Sequence, residues 1–129
     1  MFEQDYVMRE IRTMIRAVMQ AILGTHTEET LFDHLEQQGR LMDDGTFPEE
    51  IIALARQERF RDAEHALFAR VSPDDPGILR LGLAFYDYMS RMDPDTLAAH
   101  GYDPDTLADG LDRLLTAYGL KAMSDLFLQ

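Results

Sequence analysis

The sequence predicts an all-α fold of about seven helices in antiparallel pairs. Apolar residues recur at helical spacing through most of the chain, and no segment alternates apolar and polar residues for long enough to indicate a strand. Aspartate–proline pairs at Asp93 and Asp103 are typical of helix starts. Because the stretches between the predicted helices are short, neighbouring helices are expected to run antiparallel.

The first helix is predicted from about Glu3 to Leu23. Its apolar residues fall on one face at helical spacing, with Met8 and Met19 widening that face. Gly24 suits the left-handed position that ends a helix. A second helix is expected after Thr27, with Gly39 as its end.

The middle of the chain is predicted to form three more helices. Thr46 and Glu49 have the spacing of a capping box, which starts the third helix. The fourth helix is expected over Phe60–Val71. Ser72 and Pro73 are then interpreted as cap and first-turn proline of a fifth helix, which ends near Met92.

The last part of the chain contains a short repeat with a period of ten residues. The segment Asp93-Pro94-Asp95-Thr96-Leu97-Ala98 occurs again from Asp103 as Asp-Pro-Asp-Thr-Leu-Ala. The first copy is expected to end at Gly101, with Tyr102 folding back on Leu97. The second copy continues to Gly119, where Leu120 closes on Leu115 in the same way. The tail from Lys121 to Leu128 is apolar enough to dock on the rest.

Composition indicates one acidic domain, residues 1–129. The chain has 24 acidic and 12 basic residues, a net charge of −12, and this disfavours sequence-independent nucleic-acid binding. It has no cysteine, which excludes disulfides and thiol chemistry. No apolar run approaches a membrane span, and charged residues interrupt the N-terminal apolar residues as no secretory signal allows. A cytoplasmic protein is the simplest account.

The sequence predicts no enzyme activity, no cofactor and no metal site. The Asp-Pro-Asp runs lack the glycine and glutamate of a calcium loop, and helix capping accounts for them. The four histidines have no metal-ligand spacing, and His65 is expected to face solvent. The rival hypothesis is a ligand pocket or active site between helices, lined by Tyr86, Tyr88, Tyr102 and His100.

The first helix is the most suggestive segment, because a basic ridge runs beside its apolar face. Three explanations compete: it is a core element, it is a dimerisation arm (residues 1–24) on a helical-repeat-like body (25–129), or it lies on an anionic membrane. The candidate interaction residues are Met8, Arg9, Ile11, Arg12, Met14, Ile15, Arg16, Val18, Met19 and Ile22. A homodimer through this helix is therefore one expected partner, and a membrane is the least favoured.

Two resemblances follow from the residues. Phe60, Ala63 and Leu67, the aspartate-rich turn, and then Leu81-Gly82-x-x-Phe85 resemble one unit of a tetratricopeptide array. The opening Met1-Phe2-Glu3-Gln4-Asp5-Tyr6-Val7-Met8-Arg9-Glu10-Ile11 is similar to that of an uncharacterised family of small bacterial proteins, and the likeness extends through His100-Gly101-Tyr102.

Together the resemblances imply a compact, right-handed, tetratricopeptide-like array of helical hairpins. Arrays of this kind usually present surfaces to partners instead of performing chemistry. The predicted function is therefore a non-catalytic protein–protein interaction or scaffolding module.

Overall fold

The computed structural model describes residues 2–23 and 46–122, with only the backbone for residues 2–6, 22, 23, 46 and 48. Six α-helices occur in these ranges and no strand. They are α1 Phe2–Leu23, α2 Thr46–Arg56, α3 Phe60–Phe68, α4 Pro76–Ser90, α5 Pro94–Ala99 and α6 Pro104–Ala117. The predicted all-α class is confirmed. The predicted end of the first helix at Gly24, the predicted second helix with its end at Gly39, and the tail beyond Ala122 lie outside the described residues.

Helix α4 forms the centre of the fold. Seven consecutive residues, Leu81 to Asp87, are buried on all sides of this helix. Helices α1, α2 and α6 each pack against it, and α1 also contacts α6. Because a helix buried all round needs neighbours all round, its mostly apolar sequence follows from its position. Helices α2 and α3 form a hairpin, which packs on α4 through α2.

The wide apolar face of α1 lies inside the molecule. Six of its side chains are at most 5% exposed: Met8, Ile11, Met14, Ile15, Val18 and Met19. A helix that meets one neighbour needs only a narrow apolar seam, whereas α1 meets both α4 and α6. Met8 and Met19, which widen the apolar face, are buried with the rest of it.

Helices α4 and α6 approach each other through two glycine notches. A Cβ atom on Gly82 of α4 would lie 2.6 Å from Leu114 Cδ2 of α6. A Cβ atom on Gly110 of α6 would overlap the Tyr86 hydroxyl oxygen and lie 2.9 Å from Tyr86 Cζ. Each helix thus offers a glycine and, four residues later, the large side chain that fills the other helix's notch.

The helix starts at the repeated segment are as predicted. The Asp103 carboxylate accepts hydrogen bonds from the Thr106 backbone N–H at 2.8 Å and from the Thr106 hydroxyl at 2.9 Å. These two bonds favour the charged carboxylate and lower its pKa. Asp93 accepts from the Asp95 N–H, and prolines occupy the first turn in both helices.

The predicted start of the preceding helix is wrong. Asp75 is the N-cap of α4, not Ser72, and its Oδ1 accepts from the N–H groups of Gly77 and Ile78. Ser72 instead begins a tight turn, in which its carbonyl accepts from the Asp75 N–H at 2.9 Å. The Asp75 carboxylate accepts from two N–H groups of the first turn, whereas the Ser72 hydroxyl accepts from the Asp74 N–H within the preceding turn, at 3.4 Å.

The ends of four helices can be compared with the ends that the sequence predicts. Gly101 and Gly119 have φ of +81° and +74° and follow the helix ends as predicted, and the backbone N–H groups of Tyr102 and Leu120 donate to the carbonyls of Leu97 and Leu115. Helix α3 ends at Phe68 instead of Val71, and α4 ends at Ser90 instead of Met92.

Among the described helices, none combines the length and apolar character that crossing a lipid bilayer requires.

Candidate functional site

The side chains of Arg9, Arg12, Thr13, Arg16 and Arg91 line an open depression of about 210 Å³, which we call the arginine face. The first four lie on α1, on the side next to its buried apolar face. The fifth follows the last residue of α4. Because α1 packs along α4, the end of α4 brings Arg91 to the basic ridge of α1.

Two of the four guanidinium groups are held in place by the end of α4. Arg12 Nη1 donates to the Ser90 carbonyl at 2.8 Å, which satisfies a carbonyl at the negative end of the helix. Arg91 Nε donates to Asp87 Oδ2 at 3.1 Å. The Asp87 side chain is only 2% exposed, so this pair is anchored inside the molecule.

The other two arginines, Arg9 and Arg16, are exposed, and they differ from Arg91 in their pairing with carboxylates. Among the described side chains, no carboxylate pairs with Arg9 or Arg16, although the chain carries twice as many acidic as basic residues. Four of the 12 basic residues therefore surround one depression, and among the described side chains Asp87 is the one carboxylate paired with them. In a protein of net charge −12 this is a local excess of positive charge, and it would attract anions.

A second cluster of titratable groups lies where α3, α4 and α6 meet. Glu64 of α3 accepts hydrogen bonds from the hydroxyls of Tyr86, at 2.7 Å, and Tyr102, at 3.1 Å. Burial raises the pKa of both tyrosines, and the adjacent Glu64 charge raises it further. Arg113 lies 4.0 Å from the same carboxylate. The two hydroxyls therefore stay neutral donors, and the cluster joins three segments of the fold.

Replacing Glu64 by alanine is expected to lower the free energy of unfolding by roughly 1–3 kcal/mol, because it leaves the buried Tyr86 hydroxyl without its acceptor. Glu64→Gln should cost less, since an amide oxygen can still accept. Urea denaturation measures both. Glu50→Ala, at an exposed glutamate of α2, is the control and should change stability by no more than about 0.5 kcal/mol. Equal losses in E64A and E50A would contradict the assigned role.

A smaller cleft of about 150 Å³ is lined by Glu58, Arg59, Phe60, Arg61, Asp62 and His100. Its charges are largely paired within the cleft. His100 Nε2 lies 3.0 Å from Glu58 Oε1, and Arg59 lies 2.9 Å from Asp62 Oδ2. Since this cleft has little uncompensated charge, it is a weaker candidate for a binding site than the arginine face.

The structure divides the predicted interaction residues into two groups. Arg9 and Arg16 are exposed and Arg12 is half-buried, whereas the six apolar residues lie in the core. The side chain of Ile22 is outside the described ones. Arg91 was not among the predicted residues, because no spacing in the sequence links it to α1 and only the packing of α1 on α4 does so.

The residues of the rival pocket hypothesis lie in different surroundings within the described part of the chain. Tyr86 and Tyr102 are buried on Glu64, Tyr88 is half-buried, and His100 lines the small cleft. His65 is exposed, as predicted. Among the described residues, no three histidine, aspartate or glutamate side chains are grouped as a metal ion would require.

Comparison with known proteins identifies the family. The profile of a family of unknown function, DUF6483, matches residues 1–119. The chain belongs to the DUF6483 family. This confirms the resemblance to an uncharacterised family, and the arginine face lies wholly within the part that the DUF6483 profile covers. A search of the curated proteins found no match, and a search of the solved structures found none.

Proposed function

We propose that this protein is a non-catalytic interaction module that docks an acidic segment of a partner protein on its arginine face. The observation that carries the proposal is the convergence of four arginines on one open depression of an acidic chain. Such a surface attracts an acidic partner and rejects a basic one, so charge supplies both association rate and specificity.

The orientation of α1 supports a docking surface formed by its arginines instead of one formed by its apolar residues. The apolar side chains that a dimer seam or a lipid surface would use are already packed against α4 and α6. A two-fold dimer formed through the arginine face would place like charges opposite each other, which is unfavourable. A negatively charged partner needs no buried apolar residue for its contact and meets no like-charge repulsion.

The expected tetratricopeptide-like arrangement and the expected cellular setting are part of this proposal as well. A right-handed, tetratricopeptide-like arrangement of the helices would suit a scaffold that presents one face, because such arrays stack hairpins and leave a side free for partners. A bacterial, cytoplasmic setting fits the same hypothesis.

The proposal is tested with a fluorescently labelled oligoglutamate peptide at low ionic strength. The wild-type protein should raise the anisotropy of this peptide and leave oligolysine unaffected. Replacing Arg9 and Arg16 by alanine should weaken binding roughly tenfold. Because both side chains are exposed, the melting temperature of this variant should stay close to that of the wild type.

The matched control is R59A/K121A, which removes two positive charges at positions that are 57% and 58% exposed and outside the arginine face. It should bind almost as well as the wild type. Failure of the wild type to bind oligoglutamate would refute the proposal, and so would an equal loss of binding in the control.

A further inference from the structure

We propose that the arginine face receives a phosphoryl group, carried on a phosphorylated serine or threonine of the partner's acidic segment. This inference rests on the proposed function and specifies its anchor. Its basis is that four guanidinium groups, three from α1 and one from the residue after α4, surround one depression of about 210 Å³, which Thr13 also lines. Arginine clusters of this kind suit phosphorylated segments because a guanidinium donates in a planar fork to phosphate oxygens.

Two of the four groups are pre-oriented. The bond from Arg12 to the Ser90 carbonyl and the bond from Arg91 to Asp87 each use one nitrogen of a guanidinium that carries five N–H donors. Further donors on both groups remain for a ligand. Asp87 is buried, and its other carboxylate oxygen accepts no hydrogen bond within the described residues. Arg91 is therefore the ion-pair partner that holds this carboxylate. Side chains that are already ordered lose less entropy when a ligand binds.

The charge of the face favours a phosphoryl group over a carboxylate. A carboxylate brings a single negative charge and two oxygens in one plane. A phosphate ester brings about 1.5–2 negative charges at neutral pH and three acceptor oxygens pointing in different directions. Arg9 and Arg16 reach the depression from α1 and Arg91 from the end of α4. A tetrahedral group can accept from these different directions, whereas a planar group cannot serve them equally.

The size and openness of the depression indicate one group on an extended segment. Pockets for drug-sized ligands hold roughly 300–1,000 Å³, and the arginine face holds about 210 Å³. Its rim residues Arg9, Thr13, Arg16 and Arg91 are all exposed. A chain can therefore pass over the depression while one side chain enters it. The net charge of −12 disfavours a nucleic-acid backbone as the source of the phosphate.

The test compares three labelled peptides that are identical except at the centre of a glutamate-rich segment, where they carry serine, glutamate or phosphoserine. Anisotropy should show the phosphoserine peptide binding about tenfold more tightly than the serine peptide, with the glutamate peptide close to serine. Inorganic phosphate should displace the phosphoserine peptide. The preference should shrink below about pH 6, where the phosphate ester becomes a monoanion.

Single variants locate the preference. R9A and R16A, both at exposed positions, should each reduce the ratio of phosphoserine to serine affinity, and R59A should leave that ratio unchanged. Thermal melting confirms that each variant is folded. Arg12 is not the test position, because its bond to Ser90 also supports α4.

The outcomes separate the two proposals. Equal, arginine-dependent binding of all three peptides would overturn the phosphoryl inference and leave the acidic-segment proposal standing. Binding of none of the peptides would overturn both. A phosphoserine preference that R59A reduces as much as R9A and R16A would also overturn the inference, because it would place the phosphate elsewhere.

Discussion

Replacing Ile11 by aspartate is expected to abolish cooperative folding. The Ile11 side chain is completely buried where α1 packs against α4 and α6. A carboxylate in this position would be taken out of water without a partner and the packing of the isoleucine would be lost as well, at a combined cost on the order of 7 kcal/mol or more. Since a domain of this size has only roughly 5–15 kcal/mol of stability in total, the variant should show reduced helical circular dichroism and no sharp thermal transition.

The same substitution distinguishes the core role of α1 from a dimerisation arm. If the apolar face of α1 were a seam between two subunits, I11D would give a folded monomer with normal helical content. Gln20→Asp is the matched control, because Gln20 is exposed on the same helix and the change adds the same negative charge. It should fold like the wild type. Circular dichroism with sedimentation velocity reports folding and mass together, and a folded monomeric I11D would contradict the packing described.

Local signals in the sequence predicted most of the helix boundaries. A carboxylate followed by proline starts a helix because both residues act on the first turn alone, which explains the success at Asp93 and Asp103. A glycine at a left-handed position ends one for an equally local reason, as at Gly101 and Gly119. These features depend on a few neighbouring residues, so the sequence is sufficient to identify them.

The same rule shows why the start of α4 was missed. The aspartate-rich turn contains two caps followed by proline, Ser72-Pro73 and Asp75-Pro76, and only the second starts the helix. The pair Asp75-Pro76 is a third copy of the motif that correctly marked Asp93 and Asp103. The sequence therefore carries the signal for this helix start in the cap that matches the other two, Asp75-Pro76.

The candidate site was only half predictable. The arginines at positions 9, 12 and 16 share one side of a helix because of their spacing, and the sequence shows that directly. Whether the neighbouring apolar residues face the core or a partner depends on which helices lie beside them, and periodicity carries no such information. Arg91 and the Glu64 cluster likewise depend on tertiary packing that brings together segments distant in the chain.

Gly110→Ala should be strongly destabilising, with a loss of about 2–4 kcal/mol in the free energy of unfolding. The added methyl group would overlap the Tyr86 hydroxyl oxygen and lie within 3.0 Å of ring atoms Cζ and Cε1. The ring is fully buried, and its hydroxyl is bound to Glu64 at 2.7 Å. Tyr86 therefore has no free space to move into, and any shift large enough to relieve the overlap would strain or break that bond. This outweighs the gain of roughly 1 kcal/mol that alanine brings to a helix interior.

A double-mutant cycle shows whether Tyr86 causes the loss. In the background Tyr86→Phe the nearest atom is absent while the ring atoms remain close, so G110A should cost about 1 kcal/mol less there than in the wild type. Gly77→Ala is the control for helix propensity, because its new methyl would meet only the Asp75 carboxylate, at 3.3 Å. Chemical denaturation of the four cycle members and the control gives all the terms. Strict additivity, or a G110A protein as stable as the wild type, would mean that α4 and α6 do not approach through this notch.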